Sequence, residues 1–153
     1  MRMGMLRIGI TVCAAVPLGL ADGFSFTLGN PVAAQDYRAK TASFVFRAEG
    51  CGEPAKAQIT GTAEGLVNGI RHSVPLKISA MSQPGVYAVY QTWPAEGAWV
   101  VSLKGACGAE NAGALVPTSA KGFLRDAVKF FPRPATNVEI ETALKNLAQG
   151  ANQ

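Results

Sequence analysis

Apolar and polar residues alternate with a period of two over most of the middle of the chain. In residues 43–48, Phe44, Phe46 and Ala48 fall on one side and Val45 and Arg47 on the other, which predicts a half-buried strand. Residues 57–67 repeat the pattern, with Ala57, Ile59, Gly61 and Ala63 opposite Gln58, Thr60, Thr62 and Glu64. Asn68-Gly69 follows, a pair suited to a type I′ hairpin because both turn positions need positive φ. The return strand spans 70–80. Ile70, His72, Val74, Leu76 and Ile78 share one face, and Pro75, which lacks an N–H, places the strand at a sheet edge or on a bulge. Gln83-Pro84-Gly85 turns the chain into a strand region at 86–93, and Pro94 to Gly97 reverse it. Residues 98–104 then point Trp99, Val101 and Leu103 inward, and an apolar run at 114–116 precedes Pro117. About six strands, each beside a turn signal, predict a sandwich or small barrel rather than βαβ units.

The period changes toward the C-terminus. Residues 122–131 fit a helix through Phe123, Ala127 and Phe130, or a strand ended by Pro132. Residues 136–149 read as a helix. Thr136 and Glu139 form a capping box, Ile140, Leu144 and Leu147 recur at helical spacing, Glu141 and Lys145 make an i,i+4 pair, and Gly150 is placed to cap the end.

The N-terminus has the pattern of an export leader. Arg2 and Arg7 precede a charge-free apolar stretch, residues 8–21, too short for the roughly 20 residues of a membrane-spanning helix. Small residues stand at the −3 and −1 positions in Gly19-Leu20-Ala21 and again in Val32-Ala33-Ala34. Residues 23–31 read as spacer, which favours the later cut, after Ala34 or Gln35, and an uncleaved anchor is the alternative. Val12 before Cys13 is not the small residue a lipoprotein site wants, so Cys13 reads as leader. The expected organisation is a signal peptide over 1–35, a β-sandwich over 36–135 and a helix over 136–150.

Composition narrows the function. After residue 35, about 118 residues remain, with 12 Lys and Arg against 9 Asp and Glu dispersed along them. No basic stripe interleaved with aromatics marks a nucleic-acid surface. Cys51 and Cys107 lie 56 positions apart, outside CxxC and zinc-knuckle spacing. In an exported chain they read as one disulfide, worth about 4 kcal/mol on the chain-entropy model. The compartment that follows is bacterial periplasmic or secreted, with no membrane span after cleavage.

The segment Pro84-Gly85-Val86-Tyr87-Ala88-Val89, followed by Trp93-Pro94-Ala95-Glu96-Gly97-Ala98-Trp99, resembles the hairpin of YtkA-like and FixH-like domains. These are small exported immunoglobulin-like sandwiches related in shape to periplasmic copper-resistance proteins. The resemblance covers about a third of the mature chain and implies an immunoglobulin-like β-sandwich of about six to seven antiparallel strands with an appended C-terminal α-helix. It also implies metal handling through His and Met ligands. Here only His72 and Met81 supply such ligands, nine positions apart and on opposite faces of an unbroken strand.

No cluster carries obvious chemistry. A Ser-His-Asp arrangement would have to use His72 with Asp36 or Asp126, and no serine sits in a nucleophile elbow. Glu49, Glu53, Glu64, Glu96 and Glu110 stand by Gly, Pro or Ala and read as solvated loop acids. His72 reads as a structural, partly buried histidine. Tyr87 and Trp93 share a strand face and read as core. Tyr90 faces the other way, onto a binding surface or beneath the C-terminal helix. His72, Met81, Tyr87, Tyr90 and Trp93 are the candidate surface or ligand residues, with no catalytic, metal or cofactor residue assigned and no cofactor expected. The expected function is a non-catalytic exported domain that binds or assembles with an envelope protein of unknown identity. Copper handling is the alternative, and an enzyme with an unrecognised site the second.

Overall fold

The computed structural model describes residues 23–31, 36–53 and 56–150. The leader-like stretch with Cys13, and the small-residue motif at 32–34 with Gln35, lie outside them. Ten strands and one α-helix form the described chain: β1 (Ser25–Gly29), β2 (Phe44–Glu49), β3 (Gln58–Val67), β4 (Ile70–Pro75), β5 (Lys77–Ala80), β6 (Val86–Tyr90), β7 (Ala98–Cys107), β8 (Glu110–Ser119), β9 (Gly122–Phe123), β10 (Lys129–Phe131) and α1 (Asn137–Gly150). The first sheet runs β1-β2-β6-β5 and the second β10-β8-β7-β3-β4, with β9 paired to β8. All pairings are antiparallel. The protein is mainly β, a two-sheet sandwich with one C-terminal helix.

The period-two pattern places the core. Phe26, Leu28, Phe44, Phe46 and Val89 of the first sheet meet Ala63, Trp99, Val101, Leu103, Ala114 and Val116 of the second. Full burial of a large apolar side chain contributes about 1.5–3 kcal/mol. Cys51, just past β2, bonds to Cys107 at the end of β7 and ties the two sheets together at one end, with Cα atoms 6.0 Å apart. The β3–β4 hairpin turns on Asn68 (φ 51°) and Gly69 (φ 77°), as its sequence requires.

Three differences from the sequence pattern have physical reasons. Residues 23–31 are not spacer: β1 lies there, pairs with β2 and buries Phe24, Phe26 and Leu28. Residues 70–80 are two strands, one at the edge of each sheet. Pro75 ends β4 opposite Thr62, the Leu76 N–H donates to the Gly61 carbonyl at 3.2 Å, and Lys77 then pairs with Tyr90 in the first sheet. Alternation along the chain is the same whether a strand continues or switches sheets at a proline. Residues 122–131 hold β9, a 3-10 turn at Arg125–Ala127 and β10, neither the single helix nor the single strand of the sequence reading.

Helix α1 begins with the expected capping box. The Thr136 N–H donates to Glu139 Oε2 at 2.7 Å, and the Glu139 N–H donates to Thr136 Oγ1 at 3.3 Å. Its apolar stripe, Ile140, Ala143 and Leu144, packs on Val100 and Leu115 and forms a second core on the outer face of the second sheet.

Candidate functional site

The sequence-derived candidates do not converge. His72 is exposed on the edge strand β4 rather than partly buried, because β4 has no neighbour on its outer side. Met81 is half-buried beyond β5, where its N–H donates to the Val86 carbonyl at 2.8 Å. Tyr87 stacks on Phe46, with centroids 5.2 Å apart, and Trp93 is 7% exposed within the core. Tyr90 points the other way. Its hydroxyl donates to the Arg38 carbonyl at 2.7 Å, and Lys77 Nζ lies 5.4 Å from its ring centroid. What lies over Tyr90 is therefore a 3-10 turn, Tyr37–Thr41, and not α1, which packs on β3, β7 and β8 of the other sheet.

Among the described residues two acids are buried, and both accept from several donors. Asp36 caps the 3-10 turn: Oδ1 accepts from the Arg38 N–H at 2.9 Å, and Oδ2 accepts from the Ser82 N–H at 2.8 Å and the Ser82 hydroxyl at 2.6 Å. The Ser82 hydroxyl, then the Arg38 and Ser82 amides, bring its pKa down to about 2. Glu64 is a strand residue, 8% exposed, rather than a solvated loop acid. It accepts from the Thr62 hydroxyl at 2.7 Å, the Ser73 hydroxyl at 2.9 Å, and Arg71 Nε and NH2 at 3.2 and 3.0 Å. Burial opposes its ionisation. The three donors and the Arg71 charge outweigh that and hold the carboxyl below its ordinary value. Arg71 extends the network to Asn137 and Glu141 at the start of α1. These acids hold elements in place and have no donor-free oxygen poised for proton transfer.

A groove of about 1040 Å³ lies beside α1 at one end of the second sheet. Leu66 of β3, Ala98 of β7, Pro117 of β8, Leu124, and Ala143 and Leu147 of α1 supply its apolar walls, and Asn68, Ser119 and Asn146 its polar positions. Lys129 is the one charged residue among those described as lining it. Gly97 closes one side in the left-handed region (φ 87°), where a Cβ would come within 2.7 Å of the Leu66 carbonyl oxygen. Sequence reading missed this groove because its walls come from five separate segments. The one local signal was Leu147, the last apolar position of the α1 stripe, which is only half-buried and also lines the groove.

Among the described residues, no three His, Cys, Asp or Glu side chains gather as a metal site requires. No helix among them is long and apolar enough to cross a membrane. The chain matches no protein-family model, no curated protein and no solved structure.

Proposed function

We propose that this is an exported, non-catalytic, immunoglobulin-like binding module that accepts an apolar segment of another bacterial envelope protein in the groove beside α1. The observation that carries the reading is the groove itself: mostly apolar walls, a few amide and hydroxyl groups, a single cation, and no carboxylate or histidine among its described lining residues. The leader pattern and the inter-sheet disulfide support an oxidising compartment. A copper site would need soft ligands gathered together. His72 and Met81 belong to the edges of different sheets, and Cys51 and Cys107 are bonded to each other.

The test is site-specific photo-crosslinking in cells that make the native envelope. A photoreactive residue at Leu124, in the groove, should give one discrete adduct. The same residue at Arg47, exposed on the other sheet, should give none. Ala127→Trp, at an exposed position on the groove wall, should abolish the Leu124 adduct. Equal adducts from both positions, or an adduct that survives Ala127→Trp, would remove the groove from the reading.

A further inference from the structure

Resting on the reading of the N-terminus as an export leader, we infer that processing cuts between Ala21 and Asp22 and that β1 is a permanent part of the mature protein. Two motifs, ending at Ala21 and Ala34, offer small residues at −3 and −1, and the ground for preferring the later one, a spacer at 23–31, falls once β1 occupies those residues. Between the two cuts lies β1. Phe24, Phe26 and Leu28 are 5%, 4% and 9% exposed. The Phe26 ring meets Phe24 and Phe46 edge-on, with centroids 5.6 and 5.4 Å away. Ser25 through Gly29 pair in register with Glu49 through Val45, and the Phe24 N–H donates to Glu110 Oε2 at 3.3 Å across to the other sheet.

A second, independent feature lies on β7. Gly105 faces this cluster, and a Cβ there would come within 2.6 Å of the Phe26 ring and 2.8 Å of the Phe24 ring. The second sheet thus leaves out a side chain at the place where the β1 rings enter. A cut after Ala34 would remove three core side chains, turn β2 into an unprotected edge beside an empty apolar slot, and leave Gly105 facing that slot. A cut after Ala21 keeps Asp22 and Gly23 ahead of the first buried ring and disturbs nothing described.

The full chain, produced with its own leader in a bacterial host, gives the decision by intact mass and N-terminal sequencing of the envelope fraction. The expected N-terminus is Asp22. An N-terminus at Gln35 or Asp36 overturns the inference and leaves the export reading standing. An uncut chain in the membrane overturns the inference alone, whereas an uncut chain in the cytosol overturns the export reading. Ala21→Leu should block processing and Ala34→Leu should leave it intact, and the reverse pattern counts against the inference. As a measurement independent of export, leaderless chains starting at Asp22 and at Gln35 should be folded under oxidising conditions and melted. The shorter chain should aggregate or melt at least about 10 °C lower. Equal melting temperatures would place β1 outside the essential fold.

Discussion

On the outer side of the first sheet, a short 3-10 turn is tied down by one carboxylate, Asp36, and by the Tyr90 hydroxyl. On the outer side of the second sheet, a 14-residue helix lies on Val100 and Leu115. The first cover is directional. Each hydrogen bond satisfies a specific donor, and the polar groups involved are consumed by holding the turn. The second cover depends on apolar area, which has no direction, so it extends only as far as the helix does. Beyond that limit the sheet stays uncovered, and the groove appears there. The proposed binding groove therefore falls on the side closed by packing, because an apolar wall left open still gains by being covered.

The sharpest way to break this contrast is Leu144→Ala. Leu144 is 2% exposed under α1, and its truncation should cost about 2–5 kcal/mol in chemical denaturation. The protection lost in hydrogen exchange should be concentrated on α1, β7 and β8. A loss under about 1 kcal/mol would make the helix a dispensable cover.

Next in size is Glu64→Gln, which removes the nearer of two carboxylates from Arg71, at 3.0 Å, and leaves Glu141 at 3.8 Å. It should cost about 1–3 kcal/mol by the same measurement, and the difference from the unsubstituted protein should shrink as acid protonates Glu64. A neutral result would show that the network adds nothing to the joint between β3, β4 and α1.

Asp36→Asn tests the polar clamp through pH. The Asp36 carboxyl sits at about 2 in the folded chain against an ordinary 3.8. As pH falls, the unfolded chain therefore binds this proton first. The clamp's stabilisation is complete above the ordinary value and is lost as pH drops toward about 2. Glu139, also at about 2 through its Arg133 partner and the Thr136 amide, loses its contribution over an overlapping interval. The informative quantity is thus the difference between Asp36→Asn and the unsubstituted protein. That difference should narrow between pH 4 and pH 2 (about that interval), and a constant gap would dismiss the clamp as an ionic one.

The smallest effect belongs to Ser102→Ala. Ser102 is fully buried on β7, and its Oγ has no hydrogen-bond partner among the described residues. Removing a hydroxyl that makes no bond should change stability by no more than about 0.5 kcal/mol, or raise it slightly. A loss above about 1 kcal/mol would reveal a partner for it.

Much of the molecule could be read locally. Asn68-Gly69 encodes its own turn through two positive φ angles, Thr136 and Glu139 encode the start of α1, and the alternation about Phe44, Ala63 and Val101 picks out side chains that do fill the core. Phe24, Phe26 and Leu28 carry the same alternation. The leader-like stretch before them gives that segment the look of a spacer, so β1 is legible in its residues and hidden by its neighbourhood. The candidate site was hardly legible at all, since Leu66, Pro117, Leu124 and Leu147 become neighbours only when four elements are in place.

The sequence by itself determined the periods, the turn positions, the helix cap and the pair of cysteines available to each other, because these depend on sterics and hydrogen bonds within a few residues, or on simple counting. Only the tertiary structure decided that the chain switches sheets at Pro75, that Glu64 is buried, that a 3-10 turn and not α1 covers Tyr90, and where an apolar face is left open. Those outcomes depend on which distant segment supplies the other half of each contact. A period of two states that a face will be buried, and it carries no information on what will bury it.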